Sequence, residues 1–154
     1  MSKNEPVIIL LVEDDPAHAE IVRRSLKNFR VANSIAHVKD GQEALDYLFH
    51  KGKYSDPKTS PRPAIILLDL RLPKVDGLEV LRLIKEDAEL IKIPAMVLTT
   101  STAESDVVIA HAHGAVSYLV KPIDPKLLSS LLEAFCLYGR NQTGSWPKGQ
   151  VEMI

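Results

Sequence analysis

A single cysteine, Cys136, is the whole thiol content of this 154-residue chain. It cannot form an internal disulfide, and no group of Cys and His has the spacing of a zinc site. Neither sign of charge is in surplus: 19 Lys and Arg stand against 20 Asp and Glu. That balance argues against a general nucleic-acid binder, which carries a basic surplus or stripe. Long apolar runs are missing as well. Residues 7–12 and 65–68 are the longest uninterrupted ones, far too short to span a bilayer, and the first residues hold no apolar signal-peptide region. The expectation is a cytoplasmic protein with no membrane contact. Glycine is absent from the turn after the first apolar run, which reads Glu13-Asp14-Asp15 and would repel a pyrophosphate, so a dinucleotide-binding fingerprint is excluded there. What remains is a chain of ordinary apolar and charged content, long enough for one domain with a substantial core.

That chain is organised around Ile65-Ile66-Leu67-Leu68-Asp69. Four consecutive apolar residues read as a short strand buried on both faces, as in the middle of a parallel sheet, and the strand ends in a carboxylate. Open α/β sheets place their ligand crevice at that edge, so Asp69 is either the functional group or a turn residue. Residues 7–12 form a second doubly buried strand, ending in Glu13-Asp14-Asp15. Pro16 then suits the first position of a helix capped by Asp15, with Ile21, Val22, Leu26 and Phe29 as its apolar stripe. Residues 34–38 are a weaker strand. Asp40-Gly41 opens a helix with the face Ala44, Leu45, Leu48 and Phe49. Residues 50–63 form a polar loop with three prolines, longer than most connections and therefore functional or mobile.

Beyond Asp69, Asp76-Gly77 leads into a helix with Leu78, Leu81 and Ile84, ending near Ala88, and the charges Lys85, Glu86, Asp87 and Glu89 read as its solvated end. Residues 95–98 form a strand ending in Thr99-Thr100-Ser101. A fourth helix over 103–113 stops at Gly114, a left-handed terminator. His111 and His113 on it, two apart, face different directions and do not make a metal pair. Residues 115–120 form the fifth strand, ending in Lys121-Pro122. Asp124-Pro125 repeats the cap-plus-proline device for a last helix with Leu127, Leu128, Leu131, Leu132 and Phe135. Strand and helix alternate five times, which predicts a parallel sheet with helices on both faces and right-handed crossovers. The expected division is a domain over 1–138 and a tail over 139–154. With Trp146, Val151, Met153 and Ile154 that tail is either a loose terminus or an arm packing on a second copy of the chain.

Strand ends in a parallel sheet share one edge, so Glu13, Asp14, Asp69, Thr99 and Lys121 are expected to converge. Two like charges about 4 Å apart repel by about 4 kcal/mol at an effective dielectric near 20, a cost that a divalent cation removes. Hard oxygen ligands without soft partners favour Mg²⁺, with Mn²⁺ as the alternative. Acids, hydroxyl and lysine together describe a phosphoryl-transfer site. Asp69, ionised near neutral pH, can act as the nucleophile, with Thr99 and Lys121 holding phosphoryl oxygens.

With these residues in place the chain resembles the receiver domain of two-component response regulators over about residues 7–138. Glu13-Asp14 matches the family's acidic pair, and Asp69 its phosphorylated aspartate, followed by Pro73 and Asp76-Gly77. Thr99 matches its switch hydroxyl and Lys121-Pro122 its lysine and proline. The resemblance implies a flavodoxin-like, doubly wound (βα)5 fold with five parallel strands in the order 2-1-3-4-5. It implies a metal site of Asp14 directly, Glu13 largely through water, Asp69, and the backbone carbonyl of Arg71, with a cis peptide at Lys121-Pro122. It also implies a phosphoacceptor switch with self-catalysed phosphotransfer and dephosphorylation, rather than an enzyme acting on other substrates, and no output domain after Tyr138. Pro61-Arg62-Pro63, Leu72-Pro73-Lys74 and Leu98-Thr99-Thr100-Ser101 are similar to the single-domain regulators that accompany bacterial and cyanobacterial phytochromes. That narrower resemblance implies a histidine-kinase partner of the phytochrome type and pairing as a homodimer.

The expected sequence of events is phosphorylation of Asp69 with Mg²⁺ bound, movement of Thr99 toward the phosphate, and Tyr118 turning inward. The surface of helix four, strand five and helix five then changes. Tyr118 as plain core filler is the competing reading. A haloacid-dehalogenase-type phosphatase also uses an aspartyl nucleophile and Mg²⁺, but needs a second Asp two residues on, where this chain has Arg71. Helix one, with His18 and Ile21, is the expected docking surface for a kinase.

Overall fold

The computed structural model describes residues 7–27, 33–70, 72–99, 112, 114–115, 117–121, 123–134 and 152–153. Its elements are β1 (Val7–Val12), α1 (Pro16–Lys27), β2 (Asn33–Val38), α2 (Gly41–Leu48), β3 (Ile65–Leu68), α3 (Gly77–Lys85), β4 (Ala95–Thr99), β5 (Ser117–Val120), α4 (Pro125–Ala134) and β6 (Glu152–Met153). Short 3₁₀ turns lie at Gly52–Tyr54 and Leu90–Lys92. The fourth helix expected over 103–113 falls outside the described residues, so α4 here is the last helix of the sequence analysis. The strands stand in the order β2-β1-β3-β4-β5-β6. β1 through β5 are parallel in the expected 2-1-3-4-5 order, and β6 lies antiparallel to β5, with Ser117 opposite Met153 and Tyr118 opposite Glu152. That sixth strand was not expected. It comes from the segment read as either a loose terminus or an arm packing on a second copy, and here it pairs with its own chain.

Alternation along the strands divides the core in two. Leu10, Val12, Ile66, Leu68, Val97 and Tyr118 face one side, where α2 and α3 cover them with Ala44, Tyr47, Leu48, Val80, Leu81 and Ile84. Ile9, Leu11, Ile65, Leu67, Met96, Leu98 and Leu119 face the other, under Ala19, Val22 and Leu26 of α1 and Leu128, Leu131 and Leu132 of α4. Each fully buried aliphatic side chain contributes about 1.5–3 kcal/mol relative to exposure. Because both faces are apolar, alternation alone does not set the register. The polar residue after each strand does, since a one-residue slip would carry a charge into the core.

The helix starts follow the sequence. Asp15 accepts the N–H of Ala17 at 2.8 Å and Asp124 that of Lys126 at 3.0 Å, each one residue ahead of a proline in the first turn. Asp40 accepts the N–H of Glu43 at 2.8 Å. Gly114 holds φ +92°, the left-handed conformation of a terminator. Three expectations are corrected. Phe49 is 36 % exposed and caps α2; Tyr47 takes the buried place. The reason is the loop over 50–63, which the tyrosine pins down: its hydroxyl donates to the Pro61 carbonyl at 2.8 Å and its ring packs edge-on to Tyr54. α3 stops at Lys85, because Asp87 turns back to accept the N–H groups of Glu89 and Leu90. β5 begins at Ser117, two residues later than expected. Among the described residues no helix is long and apolar enough to cross a membrane.

Candidate functional site

Register brings the site together. Val12 pairs with Val38 on one side and Leu68 on the other, so the next residues, Glu13 and Asp69, leave the sheet side by side. The Glu13 N–H donates to the Val38 carbonyl at 3.0 Å, and that of Asp69 to the Val12 carbonyl at 3.1 Å. Thr99 pairs with Val120, which delivers Lys121 to the same edge. Lys121 reaches back over it, donating to Glu13 Oε1 at 2.5 Å and to Asp69 Oδ2 at 3.0 Å. Glu13 is 2 % and Asp69 7 % exposed, whereas Asp14 is open to solvent.

Glu13, Asp14 and Asp69 each present a carboxylate oxygen within 4.8 Å of the others. Three hard oxygen donors, one of them facing water, fit a Mg²⁺ or Mn²⁺ ion that keeps part of its hydration shell. Burial pushes the Glu13 carboxyl above its ordinary value, and the hydrogen bond and charge of Lys121 only partly oppose it. The ammonium therefore stands where a cation is needed, held by the acids a metal ion would use.

The loop after Asp69 is set by two glycines. A Cβ on Gly77 would lie 2.4 Å from the Asp69 carbonyl oxygen and 2.7 Å from Leu70 Cα, and one on Gly41 only 1.8 Å from the Val75 carbonyl oxygen. The start of α3 thus rests directly on the Asp69 backbone, with the Gly77 N–H donating to the Leu70 carbonyl at 3.0 Å. Only a residue without a side chain allows that approach.

Of the residues named from sequence, Glu13, Asp14, Asp69 and Lys121 are gathered here. Thr99 closes β4, its side chain lying outside the described residues, as do Arg71 and Pro122 with the expected carbonyl ligand and cis peptide. Tyr118 is buried in the core shared with α2 and α3. Two histidines had not been read as part of the site. His37, at the end of β2, pairs through Nε2 with the Glu13 carbonyl at 2.8 Å and through Nδ1 with Arg23 at 2.9 Å, tying the acidic loop to α1. His18, expected on a docking surface, lies with Nδ1 2.8 Å from Lys121 Nζ. The signal for His37 was its place near the carboxyl end of the strand neighbouring β1. His18 and Ile21 also line a cavity of about 260 Å³ with Val22, Leu98, Ile123, Glu13 and Lys121.

Comparison with known proteins points the same way. The family model described as the response regulator receiver domain matches residues 9–133. A probable methanogenesis regulatory protein of Methanothrix harundinacea, FilR2, is 43 % identical over 134 residues, covering 86 % of this chain and 83 % of that protein. The response regulator Rcp1 of Synechocystis is 41 % identical over 130 residues, covering 84 % and 86 %. The crystal structure of the Mn²⁺-bound form of Rcp1 superposes with a TM-score of 0.75 at 38 % identity, covering 93 % of this chain and 100 % of that one. The phosphorylated cyanobacterial phytochrome response regulator RcpA gives 0.76 at 35 % identity, covering 94 % and 100 %.

Proposed function

The chain belongs to the response regulator receiver family, and from that premise we propose that Asp69 is the phosphoacceptor of a switch driven by a histidine kinase of the phytochrome type. The observation that carries the reading is the Lys121 ammonium bridging Asp69 and Glu13 beside a third carboxylate. An Asp69 oxygen attacks the phosphorus of a phosphohistidine. The O–P bond forms as the P–N bond breaks, and the electron pair leaves on the imidazole nitrogen, which takes a proton from water. Lys121 and the Thr99 hydroxyl hold phosphoryl oxygens. Glu13, Asp14, Asp69 and the Arg71 carbonyl would hold Mg²⁺ or Mn²⁺, which when bound offsets the charge between the acids and the phosphoryl group. The same residues serve the self-catalysed transfer and later hydrolysis, so no second protein group acts as base.

Phosphorylation draws Thr99 toward the new charge, Tyr118, whose ring is already buried, shifts within the core rather than turning in from the surface, and the surface of 103–113, β5 and α4 changes as one two-state element. The phytochrome assignment is supported by likeness to RcpA, which carries that partner in its name. The protein works in the cytoplasm as a homodimer and engages neither nucleic acid nor membrane; because Glu152 and Met153 pair with β5 of their own chain, residues 139–154 serve as its arm only by exchanging that strand between the two copies.

Intact mass after incubation with acetyl phosphate tests the core of this reading. One added phosphoryl group is expected in the wild type with Mg²⁺ and in neither Asp69→Asn nor metal-free protein. An adduct that survives in Asp69→Asn would refute the assignment, and steady release of phosphate from phosphomonoesters would point to a phosphatase. For Tyr118, wild-type signalling by both Tyr118→Phe and Tyr118→Ala would remove it from the switch.

A further inference from the structure

We propose that His18 is a positioning residue for Lys121, an inference that rests on the phosphoacceptor reading of Asp69 and goes beyond it. A lysine ammonium has three N–H donors and accepts nothing. At Lys121 those donors meet three acceptors among the described residues: Glu13 Oε1 at 2.5 Å, Asp69 Oδ2 at 3.0 Å and His18 Nδ1 at 2.8 Å. Because an ammonium can only donate, Nδ1 is the accepting partner in this contact. The carboxylates beside the ring are farther off, Asp15 Oδ2 at 3.6 Å and Glu13 Oε2 at 3.9 Å, and compete poorly with that contact.

The three acceptors differ in what the reaction does to them. Glu13 and Asp69 belong to the donor set that would hold the cation, and Asp69 takes the phosphoryl group. His18 does neither. Among the described residues, its nitrogen is the one anchor of the ammonium that neither holds the cation nor takes the phosphoryl group. It also comes from α1, an element that supplies neither acid, so the ammonium is tied to a third part of the fold in addition to Glu13 and Asp69. A side chain with four rotatable bonds held at its tip by three fixed points loses its freedom before the donor arrives, which is the part of a phosphoryl-transfer barrier that positioning removes.

His18→Leu deletes the acceptor while keeping an apolar side chain in the cavity, and His18→Asn restores an acceptor oxygen near the place of Nδ1. With acetyl phosphate and Mg²⁺, the saturated phosphorylation rate of His18→Leu should fall about tenfold or more, the loss expected for one hydrogen bond to a charged group. His18→Asn should recover most of it, and the acetyl phosphate concentration for half-maximal rate should change little. Independently of phosphorylation, the Lys121 ammonium resonance of metal-free, ¹⁵N-labelled protein should be protected from exchange in the wild type and His18→Asn and broadened away in His18→Leu. Wild-type rate and an intact ammonium signal in His18→Leu would overturn the proposal. So would a His18→Asn variant as slow as His18→Leu, or a defect seen with a kinase donor and not with acetyl phosphate, which would return His18 to a docking role. Failure of the wild type to form any adduct would instead overturn the phosphoacceptor reading itself.

Discussion

Replacing Lys121 by methionine leaves Glu13 and Asp69, both buried and both acidic, without the cation that now bridges them. Methionine keeps most of the aliphatic stem, so the loss is that of charge. Removing one partner of a buried pair costs about 3–5 kcal/mol when the other charge stays. Here the remaining acids have a way out, since one can bind a proton. At pH 7 protonating a carboxyl of ordinary value 4.5 costs about 1.4 kcal/mol per unit, or about 3.4 kcal/mol, which caps the penalty. Burial already raises Glu13, so the observed loss should lie somewhat under that cap. For a chain of this length that lowers the melting temperature by about 6–10 °C. The sign with pH follows: a carboxyl raised in the folded state stabilises fully below its unfolded value and loses that contribution as pH rises through the folded one. Lys121→Met should therefore be most destabilised at neutral pH and approach the wild type near pH 5. Mg²⁺ should restore it and should bind it more tightly than the wild type, because no ammonium competes for the acids. Urea unfolding followed by circular dichroism, at both pH values with EDTA or Mg²⁺, measures all of this. Equal stability of the two proteins at pH 7 in EDTA, or a deficit that does not shrink in acid, would refute the reasoning.

Mg²⁺ at a hundredfold excess over its dissociation constant should stabilise the wild type by about 2.7 kcal/mol, with a much smaller thermal shift in Asp14→Asn, whose exposed side chain has little other structural part. Gly77→Ala should cost about 1–3 kcal/mol in chemical unfolding, because its Cβ meets the backbone of Asp69 and Leu70 rather than a flexible side chain; the displaced Asp69 should also be phosphorylated more slowly. Tyr47→Phe removes the hydrogen bond to the Pro61 carbonyl at a cost of about 1 kcal/mol, and hydrogen exchange should rise in residues 55–63 while β3 stays protected.

Much of this molecule was legible in its chain because its signals are local. Doubly apolar runs of four to six residues, an acid or lysine closing them, and Asp-Pro at helix starts depend only on near neighbours, and the strands, the caps and the gathering of Glu13, Asp14, Asp69 and Lys121 followed from them. Where pattern misled, a distant segment decided. Phe49 and Tyr47 are both aromatic and two residues apart, and nothing in α2 itself says which one turns inward; Pro61 and Tyr54, from the long loop, settle it. β6 is two residues long, and pairing with the free edge of β5 is what makes it a strand.

The sequence by itself determined the alternating α/β order, the residues that must end on one edge of the sheet, and the class of chemistry they can support, because hydrophobic period and charge placement are properties of the chain. Tertiary structure alone decided the partners. Lys121 lies 108 residues from Glu13 and 103 from His18, and its three acceptors come from three different elements. A hydrogen bond acts over about 3 Å of space, and no local pattern records which distant groups the packed helices bring to that distance.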